Sequence, residues 1–143
     1  MATSKIAIYP GTFDPVPNGH MDCIGRASEL FDHVIVALAT NSQKSPLFSE
    51  AERIQLLRGA IAESYPARTN ISTDSFQGLL VEYAESKHAT AIVRGLRAIS
   101  DFEYEFQMAL MNRKLASSVT TVFLIPHEHY TYLNSTIIRE VAQ

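Results

Sequence analysis

The sequence contains a single cysteine, Cys23, and no tryptophan. One cysteine excludes an intramolecular disulfide, so the fold must be held by its core, and a cytoplasmic setting is expected. No apolar run approaches the ~20 residues that a helix needs to span a bilayer, so no membrane partner is expected. The N-terminus, Met1-Ala2-Thr3-Ser4-Lys5, passes into a strand-like segment without the apolar stretch of a secretory leader. Glycine and proline number six each and gather into no linker or repeat. Positive charge is not in excess: 12 Lys and Arg stand against 15 Asp and Glu, a net charge of −3. Nucleic-acid surfaces are built on a basic stripe with interleaved aromatics, which is missing, so no nucleic-acid partner is expected. An anionic small molecule is not excluded, because a cleft can be locally positive on an acidic protein.

What is there is a chain of 143 residues, 46% apolar and 19% charged, the size and balance of one packed domain spanning 1–143. Short apolar runs alternate with amphipathic stretches. Ile6-Ala7-Ile8-Tyr9 reads as a buried strand ended by Pro10-Gly11. Residues 18–31 carry Met21, Ile24, Ala27 and Phe31 at helical spacing. Residues 34–39 form a second apolar strand. Ser49 with Glu52 is a capping box opening a helix with Ile54, Leu57 and Ile61 on one face. Residues 70–73 read as a short third strand. Leu79, Leu80, Tyr83 and Ala84 suggest a helix, and Ala91-Ile92-Val93 a strand running into Arg94-Gly95. Ser100 with Glu103 reads as a second capping box, with Phe102, Phe106, Ala109 and Arg113 along one face. Residues 122–125 are a last strand stopped by Pro126, and a final helix is expected near Ser135. Continuously apolar strands alternating with helices predict an α/β fold: one doubly wound, Rossmann-like domain on a five-stranded parallel sheet. Ligands of such sheets bind beyond the carboxyl ends of the strands.

The unusual polar residues fall at those ends. The loop after the first strand runs from Pro10 to His20. Gly11 allows close backbone approach, and the helix start offers free N–H groups and a positive dipole to an anion. Arg94 and Arg97 flank Gly95 after the fourth strand, in a pattern suited to bidentate phosphate contact. Arg97 alternatively pairs with Asp101 or Glu105. Asn134-Ser135-Thr136 opens the last helix, as a phosphate-binding turn or a plain N-cap. Lys44, after the second strand, is a binding group or an ordinary surface lysine. Convergence of these groups on one rim suits polyphosphate chemistry, where catalysis is mostly positioning and charge neutralisation.

Tyr9-Pro10-Gly11-Thr12-Phe13-Asp14-Pro15 with Asn18-Gly19-His20 resembles the H-x-G-H nucleotidyltransferase superfamily. Asn134-Ser135-Thr136-Ile137-Ile138-Arg139 matches its second motif. The stretch from Arg94 to Glu105 is similar to the bacterial phosphopantetheine adenylyltransferase family, and the resemblance covers essentially the whole chain. It implies reversible adenylyl transfer from ATP to 4′-phosphopantetheine, giving dephospho-coenzyme A and pyrophosphate. It implies catalytic roles for His20, Lys44, Arg94 and Arg97. ATP would be met by Gly11, Thr12, Phe13, His20, Gly95, Leu96, Arg97 and Glu105, and by the segment Tyr130, Thr131, Tyr132, Leu133, Asn134, Ser135 and Thr136. Thr12, Lys44, Leu80 and Arg94 would hold the acceptor. The resemblance also implies Mg²⁺, a homohexamer and feedback inhibition by coenzyme A. Three departures stand out. Pro17 occupies the first position of H-x-G-H, Asn134 stands where serine is common, and relatives continue past Gln143 with a further helix.

The expected mechanism is in-line attack of the acceptor phosphate on the α-phosphorus, with no covalent intermediate and no general base. Rival readings are another adenylyl- or cytidylyltransferase of the superfamily, or a non-catalytic ATP-binding regulatory module. His127-Glu128-His129 falls short of a zinc set. Cys23 lies one turn after His20 and reads as a packed thiol rather than a nucleophile. His33 and His88 read as ordinary surface residues.

Overall fold

The computed structural model describes residues 4–13, 18–40, 48–97 and 99–126. The apolar runs become β1 (Ile6–Gly11), β2 (His33–Ala39), β3 (Ile71–Phe76), β4 (Ala91–Gly95) and β5 (Thr120–Leu124). Between them lie α1 (Asn18–Leu30), α2 (Glu50–Ser64), α3 (Leu80–Ser86) and α4 (Ile99–Leu115). All four strand pairings are parallel, in the order β3-β2-β1-β4-β5. This is the doubly wound sheet that the alternation predicts.

Successive residues of a strand face opposite sides, and both sides are covered. Ala7 and Tyr9 of β1 pack with Val34, Val36 and Val93 against Ile24 of α1 and Leu57 of α2. Ile8, Ala37 and Ile92 pack on the other side against Val81 and Ala84 of α3. A one-residue slip of β1 would exchange these faces, so its register is held by both layers at once.

The capping box at α2 forms as expected. The Glu52 N–H donates to Ser49 Oγ, and the Ser49 N–H donates to Glu52 Oε1, each at 3.2 Å. Elsewhere the boundaries shift. The third strand is longer than expected and runs to Phe76. α4 begins at Ile99, so Ser100 lies inside the helix rather than ahead of it as a cap. The face of α4 marked by Phe102 and Phe106 does not enter the core. Their rings stack 5.6 Å apart on the exposed side, while Glu105 is buried. His33, expected as an ordinary surface residue, has a partner: its Nε2 lies 2.8 Å from Ser72 Oγ. The expected last helix and the His127-Glu128-His129 segment lie outside the described residues.

Candidate active site

The strand order reverses between β1 and β4. Beyond that point the chain leaves β1 for α1 on one face and β4 for α4 on the other, so a crevice opens at the carboxyl ends of the two strands. A cavity of about 490 Å³ lies there. Its wall includes Gly11 and Thr12 from β1 and its loop, and His20 and Cys23 from α1. Arg94, Gly95 and Arg97 come from the end of β4, Asp101 and Glu105 from α4, and Leu80 from α3. His20, Arg94 and Arg97, predicted from separate stretches of sequence, are thus brought onto one surface. Lys44 and the segment Tyr130, Thr131, Tyr132, Leu133, Asn134, Ser135 and Thr136 lie outside the described residues.

His20 stands in the first turn of α1, because the loop after β1 ends at Asn18. Its Nδ1 is 2.8 Å from the Tyr9 hydroxyl. The rings of Tyr9 and Phe13 both meet the imidazole edge-on, with centroids 5.7 and 5.4 Å away. Burial, then the positive charges of Arg97 and Arg94, hold its pKa down at about 4. A neutral imidazole at physiological pH offers one N–H donor and one lone pair.

The backbone after β1 is strained at Phe13. Phe13 has φ 47°, in the left-handed region, although it carries a bulky side chain. Its buried ring passes over Gly11, where an added Cβ would stand 2.8 Å from Phe13 Cζ. Glycine at position 11 is therefore a packing requirement of the loop. Arg53 of α2 reaches across and donates from Nη1 to the Thr12 carbonyl at 3.1 Å. Arg53 is buried, and its Nε has no hydrogen-bond partner among the described residues.

Arg94 is gripped by Glu105, donating from Nε at 3.0 Å and Nη2 at 2.7 Å, with Nη1 3.4 Å from the Pro10 carbonyl. The hydrogen bond to Glu105 raises the Arg94 pKa above its already high ordinary value. Glu105 thus pairs with Arg94 and not with Arg97. Arg97 is exposed and 4.0 Å from Asp101, a loose pair that leaves its guanidinium available to the cavity. At Gly95, an added Cβ would stand 3.0 Å from Cys23 Sγ. The Leu96 N–H donates to Leu124 O at 2.9 Å, which joins this turn to β5. Of the described residues expected at ATP, Phe13 and Leu96 stand outside the cavity wall, Phe13 with its ring against Gly11 and Leu96 bonded to β5. Cys23 is fully buried, and burial pushes its thiol pKa up, as expected of a packed thiol. A side cavity of about 150 Å³ shares Leu80, Arg94 and Glu105 with the main one and adds Tyr104, Met108 and Asn112.

Sequence reasoning passed over Tyr9, Arg53 and the clamping role of Glu105. Tyr9 was hidden in an apolar strand, and its hydroxyl was the signal. Arg53 sits in the first turn of a helix, where the dipole favours acids, and that mismatch was its signal. Glu105 had no local signal, since its partner lies on another element.

The chain matches the cytidylyltransferase-like family model over residues 8–141. The phosphopantetheine adenylyltransferase of Alkaliphilus oremlandii is 54% identical over 139 residues, covering 97% of this chain and 86% of that protein. The enzyme of the same name from Moorella thermoacetica is 52% identical over 138 residues, covering 96% of this chain and 84% of that protein. Among solved structures, the lipopolysaccharide core biosynthesis protein of Thermoplasma volcanium superposes with a TM-score of 0.60 at 18% identity, covering 92% of this chain and all (100%) of that one. The bifunctional NMN adenylyltransferase/ADP ribose pyrophosphatase of Francisella tularensis gives 0.61 at 17% identity, covering 97% of this chain and 42% of that one. At such identities the last two speak to the fold alone.

Proposed function

Because this chain belongs to the phosphopantetheine adenylyltransferase family of cytidylyltransferase-like enzymes, we propose that its cavity carries out reversible transfer of AMP from ATP to 4′-phosphopantetheine. An oxygen of the acceptor's phosphate dianion attacks the α-phosphorus in line. The bond from that phosphorus to the β-phosphate oxygen breaks, pyrophosphate leaves, and dephospho-coenzyme A remains. The nucleophile is already ionised near neutral pH, so no side chain has to remove a proton from it.

The observation that carries this reading is the meeting of His20, Arg94 and Arg97 on one cavity at the sheet's switch point. Neutral His20 would donate to the reacting phosphates, and Arg94 would meet the acceptor phosphate. Arg97 would meet the nucleotide, while Thr12 and the first turn of α1 would supply donors and a positive dipole end. Lys44 and the residues from Tyr130 to Thr136 are proposed to complete the rim on the strength of the resemblance. The side cavity beside Leu80 is apolar on one flank and suits the pantetheine arm.

Among the described residues no group of three or more His, Cys, Asp or Glu is placed to hold a metal, and Glu105 is committed to Arg94. These residues do not form a cage for Mg²⁺. The ion is proposed to come as an escort of the triphosphate, bound by phosphate oxygens and water. Coenzyme A carries the same pantetheine arm, and is proposed to inhibit by occupying the same cavity. A cytoplasmic setting is proposed on the strength of the resemblance. A homohexamer is proposed on the exposed apolar residues of α4, among them Phe102, Phe106, Leu110 and Met111.

Pyrophosphate release from ATP and Mg²⁺, with and without 4′-phosphopantetheine, tests the reaction, with nicotinamide mononucleotide and phosphocholine as parallel acceptors. Release that depends on 4′-phosphopantetheine is expected. Release with another acceptor alone would move the chain to a different specificity, and a folded sample that binds ATP without release would refute the catalytic reading. His20→Ala should lower kcat far more than it raises KM, since the proposed contact strengthens in the transition state.

A further inference from the structure

Resting on the assignment of His20 to the reacting phosphates, we propose that Tyr9 is a positioning residue that fixes the tautomer and aim of His20, so that Nε2–H faces the phosphate. The geometry comes first. The Tyr9 hydroxyl lies 2.8 Å from Nδ1, the nitrogen on the inner side of the imidazole. Tyr9 is 1% exposed at the end of β1, with Phe13 stacked 6.3 Å from it. Neither ring can turn freely, so the contact has a fixed direction.

A buried hydroxyl has to give its proton to an acceptor or bear the cost of burial. Two groups compete for the Tyr9 proton: Nδ1 of His20 and the sulfur of Cys23. A ring nitrogen is a good acceptor and a thiol sulfur a weak one. The phenol therefore donates to Nδ1. Burial pushes the Tyr9 pKa up, so the phenol keeps its proton, and His20 stays neutral at physiological pH. One imidazole proton remains, and it must sit on Nε2. The other tautomer would aim a lone pair at phosphate oxygens and turn an attraction into a repulsion.

Phenylalanine would suit an otherwise apolar strand, Ile6-Ala7-Ile8, nearly as well. The use of the hydroxyl is the bond to His20. Because Tyr9 sits on β1, the most central strand of the sheet, the ring it aims is held by the stiffest part of the fold.

The test uses the full chain labelled with ¹⁵N-histidine. Long-range ¹⁵N–¹H spectra read the tautomer, and loss of one signal set in His20→Gln assigns His20 among the five histidines. The native chain is expected to carry its proton on Nε2. In Tyr9→Phe the ring should lose that single tautomer, and kcat should fall about 10- to 100-fold with a smaller change in KM. In a His20→Ala background, Tyr9→Phe should cost nothing further, since a positioning residue has then nothing to position. A native spectrum with the His20 proton on Nδ1 would overturn the proposal whatever the activity of Tyr9→Phe. Tyr9→Phe with full kcat, beside an inactive His20→Ala, would overturn the part of Tyr9 alone. An active His20→Ala would instead remove the phosphate role of His20 on which the catalytic half rests.

Discussion

His20 sits between a phenol and two guanidinium groups, and each neighbour changes what its ring can do. Its pKa, lowered from 6.5 to about 4 first by burial and then by Arg97 and Arg94, has a consequence for stability as well as for chemistry. Below pH 6.5 the unfolded chain takes up a proton on this ring, and the native chain does not until about pH 4. The unfolded state therefore binds more protons in that window, and stability is full above it and falls as pH drops through it. Urea denaturation of the native chain and His20→Gln at pH 7 and pH 5 should show the native chain losing more, by up to about 2 kcal/mol. Equal losses would mean that the ring titrates normally when folded. Glu105 makes a second prediction at this scale. It holds Arg94 through two charge-assisted bonds. Glu105→Gln should loosen that grip and raise KM for 4′-phosphopantetheine about tenfold, with less effect on kcat. A rise confined to KM for ATP would instead assign Glu105 to the nucleotide.

At the scale of elements, the site depends on the packing of α1 against the C-terminal end of α2. Tyr65, just beyond α2, donates from its hydroxyl to the Met21 carbonyl at 2.8 Å. Gly25 lies beneath it, and an added Cβ there would come within 2.1 Å of Tyr65 Oη. In an isolated helix Gly→Ala stabilises by about 1 kcal/mol. Here overpacking opposes that gain, because Tyr65 is a rigid ring tied to α1. Gly25→Ala should destabilise the fold by about 1–3 kcal/mol, read as a lower urea midpoint. It should also reduce activity in the folded fraction, since Met21 is the residue after His20. A stabilised Gly25→Ala would show that Tyr65 swings aside at no cost.

For the whole molecule, the question is what covers α4. Phe102, Phe106, Leu110, Met111 and Leu115 are all between 43% and 55% exposed on a single chain. Residues of this kind on a monomer's surface mark a contact that the monomer does not make. Size-exclusion chromatography with light scattering should give six times the mass of one chain. Phe106→Glu with Met111→Glu should reduce that mass while leaving the fold intact by circular dichroism. An unchanged mass would move the contact elsewhere. Assembly and activity should be linked, because Asp101 and Glu105 of the cavity wall belong to the same helix.

The periodicity of apolar residues was enough to read the α/β class, the parallel sheet and the position of nearly every helix, because each depends on which residues avoid water over a few turns or a few alternations. The candidate site residues His20, Arg94 and Arg97 were readable for a similar reason: polar residues at the ends of buried strands stand out locally. Only the tertiary structure could decide what these groups touch. The strand order put β1 beside β4, although two other strands and three helices lie between them along the chain. That adjacency brought Arg94 onto the same wall as the Tyr9–His20 pair and gave it its place beside Pro10. Burial of Glu105, against the apolar face that α4 turns outward, likewise comes from the partner it meets across the crevice, an interaction that no helical periodicity encodes.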